Sequence, residues 1–272
     1  MPENAHAALV LPDGSTRSLS SGTFRATEYT VGEEGPSAMP GDLPPNVAYT
    51  WAVELSLDEA QEAGATSVEF DRPSGQCALV DPAWDIAGLL ERVRAEHLTL
   101  VGAVATHAHW DHVGGSYNGL SIEGVGKLVS LAKVPVYVHE ADAAKLQRNS
   151  GLADEALRKV KDGDSLSLGG SKITFLHTPG HTPGGQCLRA GEAILTGDTL
   201  FVGECGRVDL EGSDPEAMFQ SMRKLAALPP STVVYPGHHY GKMEHSTIGE
   251  ECRSNPALRA DTPERWHAWL RE

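Results

Sequence analysis

At 272 residues, 40% of them hydrophobic, the chain is long enough to bury a sizeable core within one compact unit. Its formal net charge of −15, from 22 basic and 37 acidic residues, opposes a nucleic-acid partner, which would need a basic footprint. No apolar run approaches the roughly 20 residues of a membrane span. The acidic Met1-Pro2-Glu3 start and the short apolar run at 7–11 offer no export signal, so a cytoplasmic protein is expected. Cys77, Cys187, Cys205 and Cys252 are scattered without C-x-x-C spacing and read as reduced thiols.

Residues 1–22 are polar and Ser-rich and read as a loosely held or edge segment, with a single domain over 23–272. Residues 32–45 are rich in Gly and Pro and read as a loop. Trp51, Val53, Leu55 and Leu57 then alternate as a strand would, and 32–70 as a whole reads as an insertion. Residues 85–97 place Ile86, Leu89, Leu90 and Val93 on one helical face. Residues 98–105 are apolar and β-branched, a strand buried on both faces. Ile122, Val125, Leu128 and Val129 predict a helix over 116–131, and 135–138 predict a strand ending at His139. Strands are also expected at 172–176, 192–196 and 232–235. Ser213-Asp214-Pro215-Glu216 reads as a capping box opening a helix with Met218, Phe219, Met222 and Leu225 on its core side. Trp266 and Trp269 anchor a terminal helix. His139 and His177 lack motif partners and read as structural.

The chemistry concentrates at 106–115, Thr-His-Ala-His-Trp-Asp-His-Val-Gly-Gly. His107, His109, Asp111 and His112 offer imidazole and carboxylate ligands suited to zinc, iron or manganese, enough for two adjacent ions. His107 and His109 point the same way on an extended segment, and Gly114-Gly115 would let the chain approach the metals closely. Three more candidates follow expected strands at turns: His181 in Thr178-Pro179-Gly180-His181, Asp198 after Gly197, and His238 after Pro236-Gly237.

In that order, these motifs resemble those of the metallo-β-lactamase-fold superfamily. The resemblance implies an α/β fold, a four-layer αβ/βα sandwich. It implies one metal on His107, His109 and His181, a second on Asp111, His112 and His238, and Asp198 bridging them. Asp111 and Asp198 are then the catalytic carboxylates, and Asp81 a supporting or turn residue. The cofactor is two divalent ions, zinc or mixed zinc and iron. Bound hydroxide could then attack an activated acyl bond without a Ser or Cys nucleophile, and the chain has no G-x-S-x-G elbow.

Residues 197–207, with Trp110, resemble the hydroxyacylglutathione hydrolases (glyoxalase II). That likeness implies a small-molecule thioester carrying glutathione, with Arg207 as a carboxylate fork and Tyr240 and Lys242 in reach of the substrate. Only 34 residues follow His238, too few for the helical glutathione-binding domain of those enzymes. Residues 246–251 followed by Asn255-Pro256, with Arg207 and Asp209, resemble instead the persulfide dioxygenases. Those enzymes hold one Fe(II) on the equivalents of His107, His181 and Asp198. The ligand set suits both chemistries, and the hydrolase is the favoured expectation. A lactonase, and a non-enzymatic metal-binding module, complete the alternatives. A β-lactamase would need export. Neither nucleic acid nor membrane is expected as a partner, and the oligomeric state is left open, a homodimer included.

Overall fold

The computed structural model describes residues 7–10, 13, 15–19, 24–28, 53–57, 67–70, 75–117, 119–240 and 243–271. Strands β1 (Ala7–Val10), β2 (Thr16–Leu19) and β5 (Ser67–Phe70) form one antiparallel sheet in the order β2-β1-β5, and β3 (Phe24–Glu28) pairs with β4 (Val53–Leu57) in another. Two strands thus fall within the polar segment at 1–22, and β4 is the strand expected from the alternation at 51–57. The Gly/Pro-rich loop at 32–45 lies outside the described residues.

From residue 75 the chain builds two sheets. The first is all-parallel, in the order β11-β10-β7-β6, from β6 (Gln76–Val80), β7 (Thr99–Val104), β10 (Val136–His139) and β11 (Leu157–Val160). Its connections are α1 (Ile86–Ala95), α3 (Val125–Ala132) and α4 (Ala143–Ser150). Asp85 starts α1 by accepting from Gly88 N, and Ile86, Leu90 and Val93 turn inwards. They join Leu79, Ala103, Val136, Val138, Leu128 and Leu146 in a core between helices and sheet.

The second sheet is mixed, in the order β12-β13-β14-β15-β18-β19. It comprises β12 (Ser165–Leu168), β13 (Ser171–His177), β14 (Gln186–Ala190), β15 (Ala193–Gly197), β18 (Val233–Pro236) and β19 (Ser246–Thr247). Helices α5 (Pro215–Ala226), α6 (Ile248–Ser254), α7 (Pro256–Arg259) and α8 (Pro263–Trp269) cover it through Met218, Met222, Leu225, Ile194, Val234 and Trp266. A third apolar cluster, Val80, Val104, Val160, Ile173, Phe175 and Leu188, joins residues of both sheets. The layers therefore run helix, sheet, sheet, helix, as the sequence motifs imply.

Two local readings need correction. The expected helix over 116–131 is a hairpin, β8 (Gly115–Tyr117) with β9 (Leu120–Ile122), followed by α3 alone. Tyr117 and Leu120 are exposed, so the helical spacing of Ile122 to Val129 applies only to its second half. The cap of α5 is Asp214, which accepts from Ala217 N, while Ser213 Oγ donates back to Leu210 O. Gly114 and Gly115 do adopt positive φ (+80° and +144°), but Gly114 serves a backbone crossing. A Cβ on it would meet Gly124 backbone at 2.6 Å.

Candidate metal centre

Every candidate ligand sits just beyond the C-terminal end of a strand. The 107–112 cluster follows β7, with Trp110–Val113 forming the single turn α2; His181 follows β13, Asp198 follows β15 and His238 follows β18. The seven side chains converge. His109 Nδ1 lies 3.0 Å from His107 Nε2 and 2.9 Å from His181 Nε2. On the other side His112 Nε2 lies 3.2 Å from His238 Nε2, and Asp111 Oδ2 is 3.7 Å from the same atom. Asp198 stands between the two groups, its Oδ2 3.4 Å from His181 Nε2 and 3.3 Å from His238 Nε2, its Oδ1 3.3 Å from His112 Nε2.

Hydrogen bonds behind the rings decide which nitrogens face inwards. His181 Nδ1 has the backbone carbonyl of Arg207 at 2.9 Å, which can only accept, so Nδ1 donates and Nε2 keeps its lone pair. His112 Nδ1 likewise donates to Asp81 Oδ2 at 2.8 Å. Thr106 Oγ1 gives its one proton to Asp81 Oδ2 at 2.6 Å, and so accepts from His107 Nδ1 at 3.1 Å. Asp81 thus orients an imidazole in each group, while its Oδ1 takes Thr106 N at 2.7 Å. It does so at φ +48°, a conformation costly for a non-glycine residue and retained here beside the site.

This donor set fits metal ions. Imidazole lone pairs and carboxylate oxygens separated by 2.9 to 3.4 Å match the edges, about 3.3 Å, of a tetrahedron with arms of about 2.0–2.1 Å. Three triads qualify: His107, His109 and His181; His107, His112 and Asp198; Asp111, His112 and His238. Asp198 Oδ1 is buried without a hydrogen bond of good geometry, with His112 Nε2 at 3.3 Å, a demand that a cation would satisfy. Gly237 leaves it room, since a Cβ there would stand 2.6 Å from that oxygen. Burial, with the repulsion of neighbouring imidazoles, holds His107 well below its ordinary pKa and His109 at about 3. His112 is also penalised by burial, but the Asp198 and Asp81 carboxylates outweigh this and raise it. Asp198 is buried too, and the surrounding imidazoles hold it well below the carboxylate range.

The rim is aromatic. Trp110 stacks on Tyr117 at 4.4 Å; Tyr240 stacks on His238 at 5.2 Å and meets Phe201 edge-on at 5.1 Å. Tyr117 and Tyr240 both lie close enough to Arg207 to act on its charge. The Arg207 guanidinium is exposed and held bidentately by Asp209 through Nε and Nη2, at 2.9 and 2.8 Å, so a substrate carboxylate would meet the Nη1 edge or compete with Asp209. Lys242 lies outside the described residues. Cys205 is a packed thiol, pushed up to about 12 by burial. His139 and His177 stack on one another at 3.8 Å, and among the described residues neither belongs to a group that could hold an ion. The tail residues Glu251 and Asn255 brace the hairpin of β16 (Leu200–Phe201) and β17 (Glu204–Cys205). Asn255 Nδ2 donates to Phe201 O and Glu204 O, and Glu251 Oε2 accepts from Gly203 N.

A helix–sheet–sheet–helix sandwich with a His/Asp cluster at its strand ends defines a class of metal-dependent hydrolases and oxidoreductases. A family model described as the metallo-beta-lactamase superfamily matches residues 65–238, and the chain belongs to that superfamily. Cytoplasmic hydroxyacylglutathione hydrolase of Arabidopsis thaliana is 34% identical over 235 residues, covering 72% of this chain and 83% of that protein. The structure of ETHE1 from Myxococcus xanthus superposes with a TM-score of 0.63 at 25% identity, covering 92% of this chain and 90% of the other. TTHA1623, solved in a di-iron-bound form, gives a TM-score of 0.54 at 35% identity over 66% of this chain and 88% of the other. Among the described residues no helix is long and apolar enough to cross a membrane.

Proposed function

We propose that this chain is a dinuclear metallohydrolase that cleaves a thioester of the hydroxyacylglutathione type. One observation carries the reading: Asp198 Oδ2 lies 3.4 Å from an imidazole of one group and 3.3 Å from an imidazole of the other, so a single carboxylate serves both. His107, His109 and His181 would hold one ion, Asp111, His112 and His238 the second, and Asp198 would bridge. The Arabidopsis relative supports the substrate class, and the di-iron form of TTHA1623 supports a two-ion centre. Two divalent ions there, zinc or mixed zinc and iron, would supply hydroxide near neutral pH and polarise the acyl carbonyl.

The residues of the chain do the rest. Asp81 and Thr106 hold His107 and His112 in the ligating tautomer, and the Arg207 carbonyl does the same for His181. Asp111, whose side chain is 21% exposed, would take a proton from the attacking water and pass it to the departing sulfur. Water adds across the acyl C–S bond, giving a carboxylic acid and a free thiol. Tyr117, Tyr240 and Arg207 would receive the thiol-bearing portion at the rim.

A second reading, a mononuclear-iron persulfide dioxygenase using His107, His181 and Asp198, is favoured by the match to ETHE1 over 92% of the chain. The test joins metal content of protein purified without added metal to turnover. Two ions per chain with thiol release from a hydroxyacylglutathione are expected. One iron per chain, with oxygen uptake on glutathione persulfide and no thiol release, would put the dioxygenase in its place.

A further inference from the structure

Asp142, between β10 and α4, is 1% exposed. Its Oδ2 accepts from Ala108 N at 3.0 Å and from Thr182 Oγ1 at 2.7 Å, and its Oδ1 accepts from Gly184 N at 2.8 Å. Ala108 separates His107 from His109, and Thr182 follows His181. All three donors therefore belong to the two loops that carry His107, His109 and His181. The first of these loops also carries Asp111 and His112, but none of the three donors is adjacent in sequence to Asp111, His112 or His238. Asn149 of α4 holds the next peptide, donating from Nδ2 to Ala108 O at 2.8 Å. The contact is close-packed as well: a Cβ on Gly184 would stand 2.6 Å from Asp142 Cβ and Cγ.

The chemistry calls for an acid here. A carboxylate accepts at both oxygens, whereas an amide must present NH2 to at least one of three converging donors. We propose that Asp142 is a positioning residue: it fixes the separation of the 107–109 and 181–184 loops and so tunes the affinity of the three-histidine half-site without touching the metal. This rests on the two-half-site reading above.

The test uses the full chain stripped of metal and titrated calorimetrically with Zn²⁺ against a competing chelator. Asp142→Asn and Thr182→Val are compared with His109→Ala, whose missing ion marks the three-histidine site. The melting temperature of each apo protein is recorded alongside. In Asp142→Asn that site should weaken about 10–100-fold while the other stays within about threefold. Thr182→Val should shift the same site by less, and covers the case in which Asp142→Asn does not fold. Unchanged affinities, or equal weakening of both sites with a fallen apo melting temperature, would overturn the proposal. A wild type holding one ion would instead refute the dinuclear reading. The proposal would then stand only if Asp142→Asn weakens that single site.

Discussion

Thr106→Val tests whether a hydroxyl that touches no metal governs metal binding. Thr106 is buried at 2% exposure, and valine has nearly its shape, so no cavity forms. Thr106 N would still donate to Asp81 Oδ1, and His112 would still reach Asp81 Oδ2. Two bonds disappear, the one Thr106 Oγ1 accepts from His107 Nδ1 and the one it donates to Asp81 Oδ2, which keeps His112 as its partner. The His107 ring can keep its proton on Nδ1, leaving a buried donor unpaired at about 1–3 kcal/mol. Alternatively it moves the proton to Nε2, which then points at the cluster and must be displaced by any ion. Loss of such a supporting partner is worth about 10–100-fold in affinity, or about 1.4–2.8 kcal/mol, so the two routes agree. Chelator competition with Zn²⁺ reads the affinity, and calorimetric melting of the apo protein reads the fold. Wild-type affinity in a variant of wild-type apo stability would refute the reasoning.

Three further outcomes follow from the same geometry. His109→Ala should cut thioester turnover by orders of magnitude, because His109 Nδ1 joins His107 to His181; full oxygen uptake on glutathione persulfide in that variant would mark the iron triad as the working centre. Asn255→Ala should lower stability by about 2–4 kcal/mol in denaturant unfolding, since it removes a helix cap and leaves the carbonyls of the β16–β17 hairpin unpaired; a change under about 1 kcal/mol would contradict that bracing. His139 is held below its ordinary value by burial and the stacked His177, so the folded state resists its protonation. Stability from this group is complete above about pH 6.5 and declines as pH falls below it, because the unfolded chain takes the proton first. The melting temperature of His139→Asn should therefore fall less than that of wild type between pH 7.5 and 5.5, and parallel profiles would rule the effect out.

The converging ligands were legible because each is a short local word: a strand, a turn, a histidine or aspartate. Of their supports, Asp81 was suggested by the family resemblance and the others were not. Asp142 reaches Thr182 over 40 positions and Asn149 reaches Ala108 over 41; no local pattern encodes such pairs. The hairpin at 115–122 was hidden because the apolar spacing of α3 runs back into it through Ile122, which is buried from a strand. Arg207 shows a subtler limit. The sequence draws attention to its guanidinium, while the contact it makes to the candidate centre is a backbone carbonyl on His181, which any residue could supply.

That the ligands spring from the strand ends of both sheets has a mechanical consequence. An ion on His107, His109 and His181 ties the loop after β7 to the loop after β13. One on Asp111, His112 and His238 ties the first of these to the loop after β18, His112 and His238 lying 126 positions apart. Each ion would act as a removable cross-link, closing a long chain segment at the seam where the sheets meet, and its binding energy would add to folding energy. Metal supply would then set how long a molecule survives as well as how fast it turns over. A cell short of metal would carry a population that opens along that seam and is cleared first.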